Sequence, residues 1–267
     1  MIVGSALAGG FLRRVHVLTP EERAHRQLLR TRNQIEHHRR QVQNQIKSML
    51  LFHGKRPAEE QKERWSEGHV EWIENIEWEY AVLKTAMESM LKMYRELTEE
   101  YKHLTSEIEQ LGMTEKYRER VVLLTQIPGI GTFTAMAILV EIQNIERFRR
   151  GEQFASYLGL TPSQHSSGEK IGMGHITRCG NYEVRTRLVE SSWTLIRYDA
   201  QAKATYERIK HQTGSGRKAI TAIARRLGLR VRRVLIYKEP YRLMAGGRLA
   251  TGRDKRREVN RYLLKRV

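Results

Sequence analysis

Apolar positions in the first part of this chain fall into two long helical stripes. The first is Leu28, Ile35, Val42 and Met49 at heptad spacing, widened by Ile46 and Leu50. Thr19-Pro20-Glu21-Glu22 stands ahead of it. The threonine can cap a helix, the proline suits a first helical position and Glu22 completes a capping box, so a helix is predicted from here to about Phe52. His53-Gly54-Lys55-Arg56-Pro57 breaks it. The second stripe is Ile76, Tyr80, Leu83, Met87, Met90, Tyr94, Leu97, Tyr101, Leu104, Ile108 and Leu111. Its spacings alternate four and three, an a/d seam over about five heptads. Such a helix is roughly 50 Å long, and Gly112 can end it. The two stripes predict a long antiparallel coiled-coil hairpin over 19–115. Its spare apolar surface would pair with a second copy, making a homo-oligomer through the coiled coil; a plain intramolecular bundle is the alternative.

From Lys116 the pattern becomes shorter and denser. It predicts a short helix to Gln126, a turn Ile127-Pro128-Gly129-Ile130-Gly131, a helix Thr132 to Ile142 and a short helix around Phe154 to Leu158. A Ser- and Gly-rich loop follows over Thr161 to Gly180, then helical stretches near 181–198, 200–212, 216–228 and 231–243. The fold expected is mainly α: the coiled-coil hairpin, then a compact helical domain over 116–245 with a helix-hairpin-helix at 124–142. A basic tail covers 246–267, and residues 1–18 close on a short apolar and basic run.

Charge narrows the partners. The 48 Lys and Arg outnumber the 30 Asp and Glu by 18, and a surplus of that size points to a polyanion, most simply DNA or RNA. A merely basic, ribosome-associated protein is the bland alternative. No apolar run approaches the ~18 residues of a spanning helix, so no membrane is expected. Met1 to Leu12 is apolar but lacks a basic start, which argues against a signal peptide. A lone cysteine, Cys179, excludes an internal disulfide or a cysteine-rich zinc site and fits a cytoplasmic protein. The aspartates are Asp199 and Asp254 only, far apart, so no paired-metal nuclease cluster stands out and no metal site is expected in this chain.

Three segments carry candidate chemistry. In Ile127 to Gly131, Gly129 and Gly131 permit a tight turn that aims the next helix's amides at a phosphate. Contacts of that kind do not read sequence, and an ordinary helix connection is the competing reading. In the loop, serines stand among Lys170, His175, Arg178, Arg185 and Arg187. A serine hydroxyl in such a setting can attack a phosphodiester while the cations stabilise the developing charge; ordinary loop serines are the competing reading. Between 217 and 242, Arg217, Lys218, Arg225, Arg226, Arg230, Arg232, Arg233 and Arg242 face a single acid, Glu239. That is too one-sided for a salt-bridged surface and suits a phosphate backbone.

In this order, Leu124 to Gly131, Phe154 to Pro162, Gln164 to Lys170, Gly174 to Gly180 and Asn181 to Arg185 resemble the C-terminal transposase domain of the insertion-sequence 110/116/902 group. The resemblance runs from about Phe11 to Gly246. It implies transposition by DNA recombination, with a serine that links covalently to DNA and a structured non-coding bridge RNA that pairs with donor and target. It assigns the nucleophile to Ser167, with Ser166 still open. Lys170, Arg178 and Arg185 become phosphate partners and His175 a candidate proton shuttle. It also implies an N-terminal RNase H-like domain with four acidic residues, where Mg²⁺ would bind. Those acids have no counterpart here, and Ser5 to Val17 reads as the end of that domain. The expectation is therefore a transposase chain incomplete on its own. A non-catalytic DNA- or RNA-binding dimer is the alternative.

Overall fold

The computed structural model describes residues 16–57, 65–167, 170–177, 179–241, 244–245 and 248–249. The fold is mainly α. Helix α1 (Pro20–Phe52) starts where its cap predicts: the Glu22 amide donates to Thr19 Oγ1 at 3.2 Å, and the Thr19 amide donates to the Glu22 carboxylate at 2.9 Å. It runs antiparallel to α3 (Ala81–Gly112). Arg32 of α1 meets Tyr101 and Thr105 near one end of α3, while His53, just past α1, packs on Trp78 before the other.

The second stripe differs from expectation at its start. Its helix begins at Ala81, and the preceding segment folds into a short α2 (Glu67–Glu74), capped by the Ser66 hydroxyl. Helix α2 lays Val70 and Ile73 against Ile46, Leu50, Met87 and Leu91, forming a small separate core at the tip of the arm. A third helix here moves the buried line off a simple two-helix seam. Leu91 is buried although it lies outside the predicted register, and Tyr80 is exposed. On α1, Leu29 and Arg32 are buried rather than Leu28 and Ile35.

The main core lies in the second half. Helices α4 (Glu115–Thr125) and α5 (Thr132–Ile142) flank the turn at Gly129. Residues Ala135 to Ile142 of α5 are all buried, because α5 packs on α1, α3, α4 and α7. Next come α6 (Gly151–Tyr157), strands β1 (Pro162–Ser167) and β2 (Lys170–Ile176), α7 (Tyr182–Tyr198), α8 (Ala200–Thr213) and α9 (Gly216–Tyr237). Two-residue strands β3 (Met244–Ala245) and β4 (Arg248–Leu249) pair after them. Helix α9 continues through the break expected near residue 229. Its Gly228 sits where a Cβ would come within 2.9 Å of Leu158, so the glycine serves close packing of α9 on the end of α6 rather than a helix end.

The turn between α4 and α5 is packed, not loose. Gly129 has φ +90°, and a Cβ there would lie 2.4 Å from the Ser191 carbonyl oxygen of α7. Gly131 is exposed, with nothing within 4 Å of its Cβ position. Gly129→Ala should therefore destabilise the fold by about 2 kcal/mol or more, from strain and displacement of α7. Gly131→Ala should stay within roughly 0.5 kcal/mol. Urea unfolding of the two variants checks this; equal midpoints would contradict the packing of the turn on α7.

Candidate nucleic-acid site

The Ser- and Gly-rich segment expected as a loop is an antiparallel hairpin of β1 and β2. Few of its residues are apolar, which hid the strands from a periodicity reading; backbone pairing carries them instead. Ile176 at its base packs against the main core. Both feet of the hairpin are fastened to the end of α6. The Leu160 amide donates to Ala155 O at 3.0 Å and the Asn181 amide to Tyr157 O at 2.8 Å, with Thr177 N to Thr161 O at 2.9 Å between the feet. Gly180 permits this approach, since a Cβ there would lie 2.4 Å from Tyr157 O.

Ser167 ends β1 and pairs with Lys170, which starts β2; Ser166 pairs with Ile171. Ser167 is thus at the far end of the hairpin from its anchored base. The register slips opposite Ser163, at Gly174 and His175. His175 lies near the base, five residues from Lys170 along β2, which is about 16 Å at ~3.3 Å per residue. His165 pairs with Gly172. Gly168, Glu169 and Arg178 lie outside the described residues. Arg185, on the first turn of α7, donates to Leu158 O at 3.0 Å and so also ties α7 to the end of α6.

Beneath the hairpin lies a residue that the sequence reading missed. Glu141 is 2% exposed near the end of the otherwise apolar α5. Its carboxylate takes Arg30 Nε at 3.2 Å and Arg26 Nε at 3.4 Å from α1. On the other side it accepts the Asn181 side-chain amide at 2.9 Å. Asn181 also caps α7, accepting the Val184 amide at 3.0 Å. A lone acid within an apolar run was the available signal, because a buried charge requires partners.

The basic surface is formed mainly by α9. Lys218, Arg225 and Arg232 recur every seventh residue on its outer side, with Arg226 and Arg233 beside them. Several of these cations also have partners within the protein. Arg232 donates to Phe148 O at 2.7 Å and Arg149 O at 2.9 Å. Arg226 bonds Thr205 at 3.0 Å, and Arg230 pairs with Asp199 at 2.9 Å. Arg233 is 4.0 Å from Glu239, both well exposed. These partners come from distant segments or from backbone carbonyls, which counting acids within 217–242 could not detect. The bond to Arg149 brings a further run, Arg147 to Arg150, alongside α9; Arg147, Arg149 and Arg150 are exposed. They extend the basic face, and the run was readable in the sequence.

Residues 121–207 match the transposase family described as IS116/IS110/IS902. They span the turn at Gly129, the hairpin, α7 and Asn181. Residues 121–207 form a transposase domain of that family. Among curated relatives, the transposase for insertion sequence element IS1111A of Coxiella burnetii is 27% identical over 197 residues, covering 73% of this chain and 53% of that protein. A probable family 20 transposase of Pseudomonas aeruginosa is 32% identical over 40% of this chain and 33% of its own length. The pilin gene-inverting protein of Moraxella bovis is 32% identical over 44% of this chain and 37% of its own. The chain spans about half or less of the length of these relatives. No helix among the described residues is long and apolar enough to cross a membrane. Nor is any group of three or more His, Cys, Asp or Glu among them placed to hold a metal ion.

The end of the transposase domain is locked to the helices and turn beyond it. Asp199 caps α8 through the Ala202 amide at 2.9 Å and takes Arg230 at 2.9 Å and the Tyr241 hydroxyl. Burial works to raise the Asp199 pKa, but the Tyr241 hydroxyl, the Ala202 amide and Arg230 outweigh it and hold it below its ordinary value. Burial and the bond to Asp199 push Tyr241 well above the usual phenol range. A depressed folded-state carboxylate contributes stability that is fully present above the unfolded pKa of about 3.9 and is lost as pH falls through the folded value. Asp199→Asn should therefore lower stability at neutral pH and shrink the acid-induced loss below about pH 4. Thermal melts over pH 2.5 to 7 check this; an unchanged acid limb would contradict the assignment.

Proposed function

We propose that this chain supplies the DNA-engaging, nucleophile-bearing part of a transposase. The observation that carries the reading is Ser167 at the far end of a hairpin whose feet are fastened to α6 inside the transposase domain. The serine oxygen attacks a DNA phosphorus, forming a phosphoserine link and breaking the bond to the leaving strand's oxygen. The serine proton passes to a base, and the departing oxygen takes up a proton. Lys170, which pairs with Ser167 in the hairpin, offsets charge on the phosphate under attack, and Arg178 and Arg185 hold other phosphates of the same DNA. The DNA backbone lies along α9 and the Arg147 to Arg150 run, with the open start of α5 at Gly131 as a further phosphate contact. The name of the gene-inverting relative from Moraxella bovis supports strand exchange as the outcome. Two further parts of the reading are a structured RNA that selects the DNA and pairing of copies through the arm. Leu51, Phe52, Tyr80 and Val82 remain exposed at the arm's far end and support the pairing.

Two measurements test this. Log affinity for duplex DNA against log salt should fall with a slope of about −0.9 per neutralised phosphate. Arg225→Gln with Arg233→Gln should flatten it by about two such units without lowering Tm, whereas Arg232→Gln should also lower Tm. A slope near zero in the unaltered chain would remove the nucleic-acid role.

The second measurement is trapping of a protein–DNA adduct. The chain alone should form little. With the acidic domain of a relative, Mg²⁺ and the element's RNA supplied, an adduct should appear that Ser167→Ala abolishes and Ser163→Ala leaves intact. Loss in Ser166→Ala alone moves the nucleophile by one residue. Survival of both changes leaves a non-catalytic DNA- or RNA-binding role in front.

A further inference from the structure

Between α1 and the start of α7 lies an open cleft of about 960 Å³ to which the function above gives no task. One wall is α1, with His37, His38 and Arg40; the other is Gly180 to Tyr182, where the chain leaves the hairpin, and the first turns of α7. Tyr182 is 64% exposed. A ring at the first position of a helix, with most of its surface in solvent, adds little to folding. It is nevertheless restrained, because the Arg185 guanidinium lies 5.7 Å from its centroid and is itself anchored to Leu158 O. An exposed, restrained aromatic beside hydrogen-bond donors is what recognition of an unstacked base requires.

The charge of the cleft separates it from the α9 face. Arg30, Arg40 and Arg187 are matched by Glu36, Glu183 and Glu190. Glu36 is already held by Arg32 and Arg40, and Glu183 accepts from Asn33. A duplex, drawn by net positive charge, gains little here. A ligand with a π face and a single phosphate gains more. Arg40 uses one amino group on Glu36, while its side chain is 68% exposed and keeps further donors. The volume lies within the range of small-ligand pockets, roughly 300–1,000 Å³.

We propose that this cleft holds an unpaired nucleotide of a DNA or RNA strand, its base stacked on Tyr182 and its phosphate met by Arg40, His37 and His38, an inference that rests on the nucleic-acid role proposed above. Stacking is insensitive to salt, whereas contacts on α9 are not, so the two surfaces are separable.

The experiment is fluorescence anisotropy with labelled oligothymidylate, oligouridylate and duplex DNA, each about twenty nucleotides or base pairs long. It compares the full chain with Tyr182→Ala, Tyr182→Phe and the Arg225→Gln, Arg233→Gln pair. Tyr182→Ala should weaken single-strand binding roughly tenfold, with duplex affinity and every salt slope unchanged. Tyr182→Phe should restore it. The α9 pair should instead flatten the salt slopes. A loss confined to oligothymidylate or to oligouridylate identifies the strand as DNA or RNA. Unchanged single-strand affinity in Tyr182→Ala, an equal loss on duplex, or no rescue by Phe would overturn the cleft while leaving the nucleic-acid role standing. An unaltered chain that binds none of the three would overturn both.

Discussion

The carboxylate of Glu141 is the contact on which the rest of the architecture turns. Buried near the end of α5, it would be costly alone, so the fold must deliver counter-charges to it. Arg26 and Arg30 do so from α1, and Asn181 completes the set from the start of α7. The arm, the central helix and the exit of the hairpin are thereby held to one another through a single side chain. Its neighbour along α1, Arg32, repeats the device. That guanidinium lies 4.0 Å from the Phe133 ring of α5 and 4.1 Å from the Tyr101 ring of α3, with Glu36 as its counter-ion. Burial lowers the Arg32 pKa from its ordinary value.

This polar junction explains which parts of the fold could be read from the chain. The caps at Thr19 and the long periodicities depend on residues near one another in sequence, and the start of α1 and the antiparallel run of α1 and α3 came from them. The start of α3 did not. Ile76 sits at seam spacing and does pack in the arm core, but it arrives there through a turn that the spacing alone cannot distinguish from helix. The hairpin was hidden for the opposite reason, since its strands are held by backbone pairing and carry few apolar residues.

The candidate site divides along the same line. Ser167 was distinguished from the other loop serines only by the family resemblance, whereas the basic helix could be picked out because its charge is local. The tasks of individual cations could not, because their partners are remote: Arg232 caps carbonyls of the 148–149 segment, and Arg230 answers Asp199. Gly129 illustrates the point in a glycine. A tight turn was legible from its place in the motif, but its close approach to the Ser191 carbonyl of the remote α7 was not. The exposed start of α5 just beyond it, at Gly131, is what the motif leaves open to solvent.

The arm also gives the molecule mechanical leverage. Some twenty residues of α1, from Arg32 to Phe52, project beyond the junction, about 30 Å at ~1.5 Å per residue. A tilt of about 10° at the Arg32 pivot carries the far end through about 5 Å, roughly one helical turn. A partner that grips the tip therefore works on a long handle, and the torque it applies arrives at Glu141 and Asn181, directly beneath the hairpin.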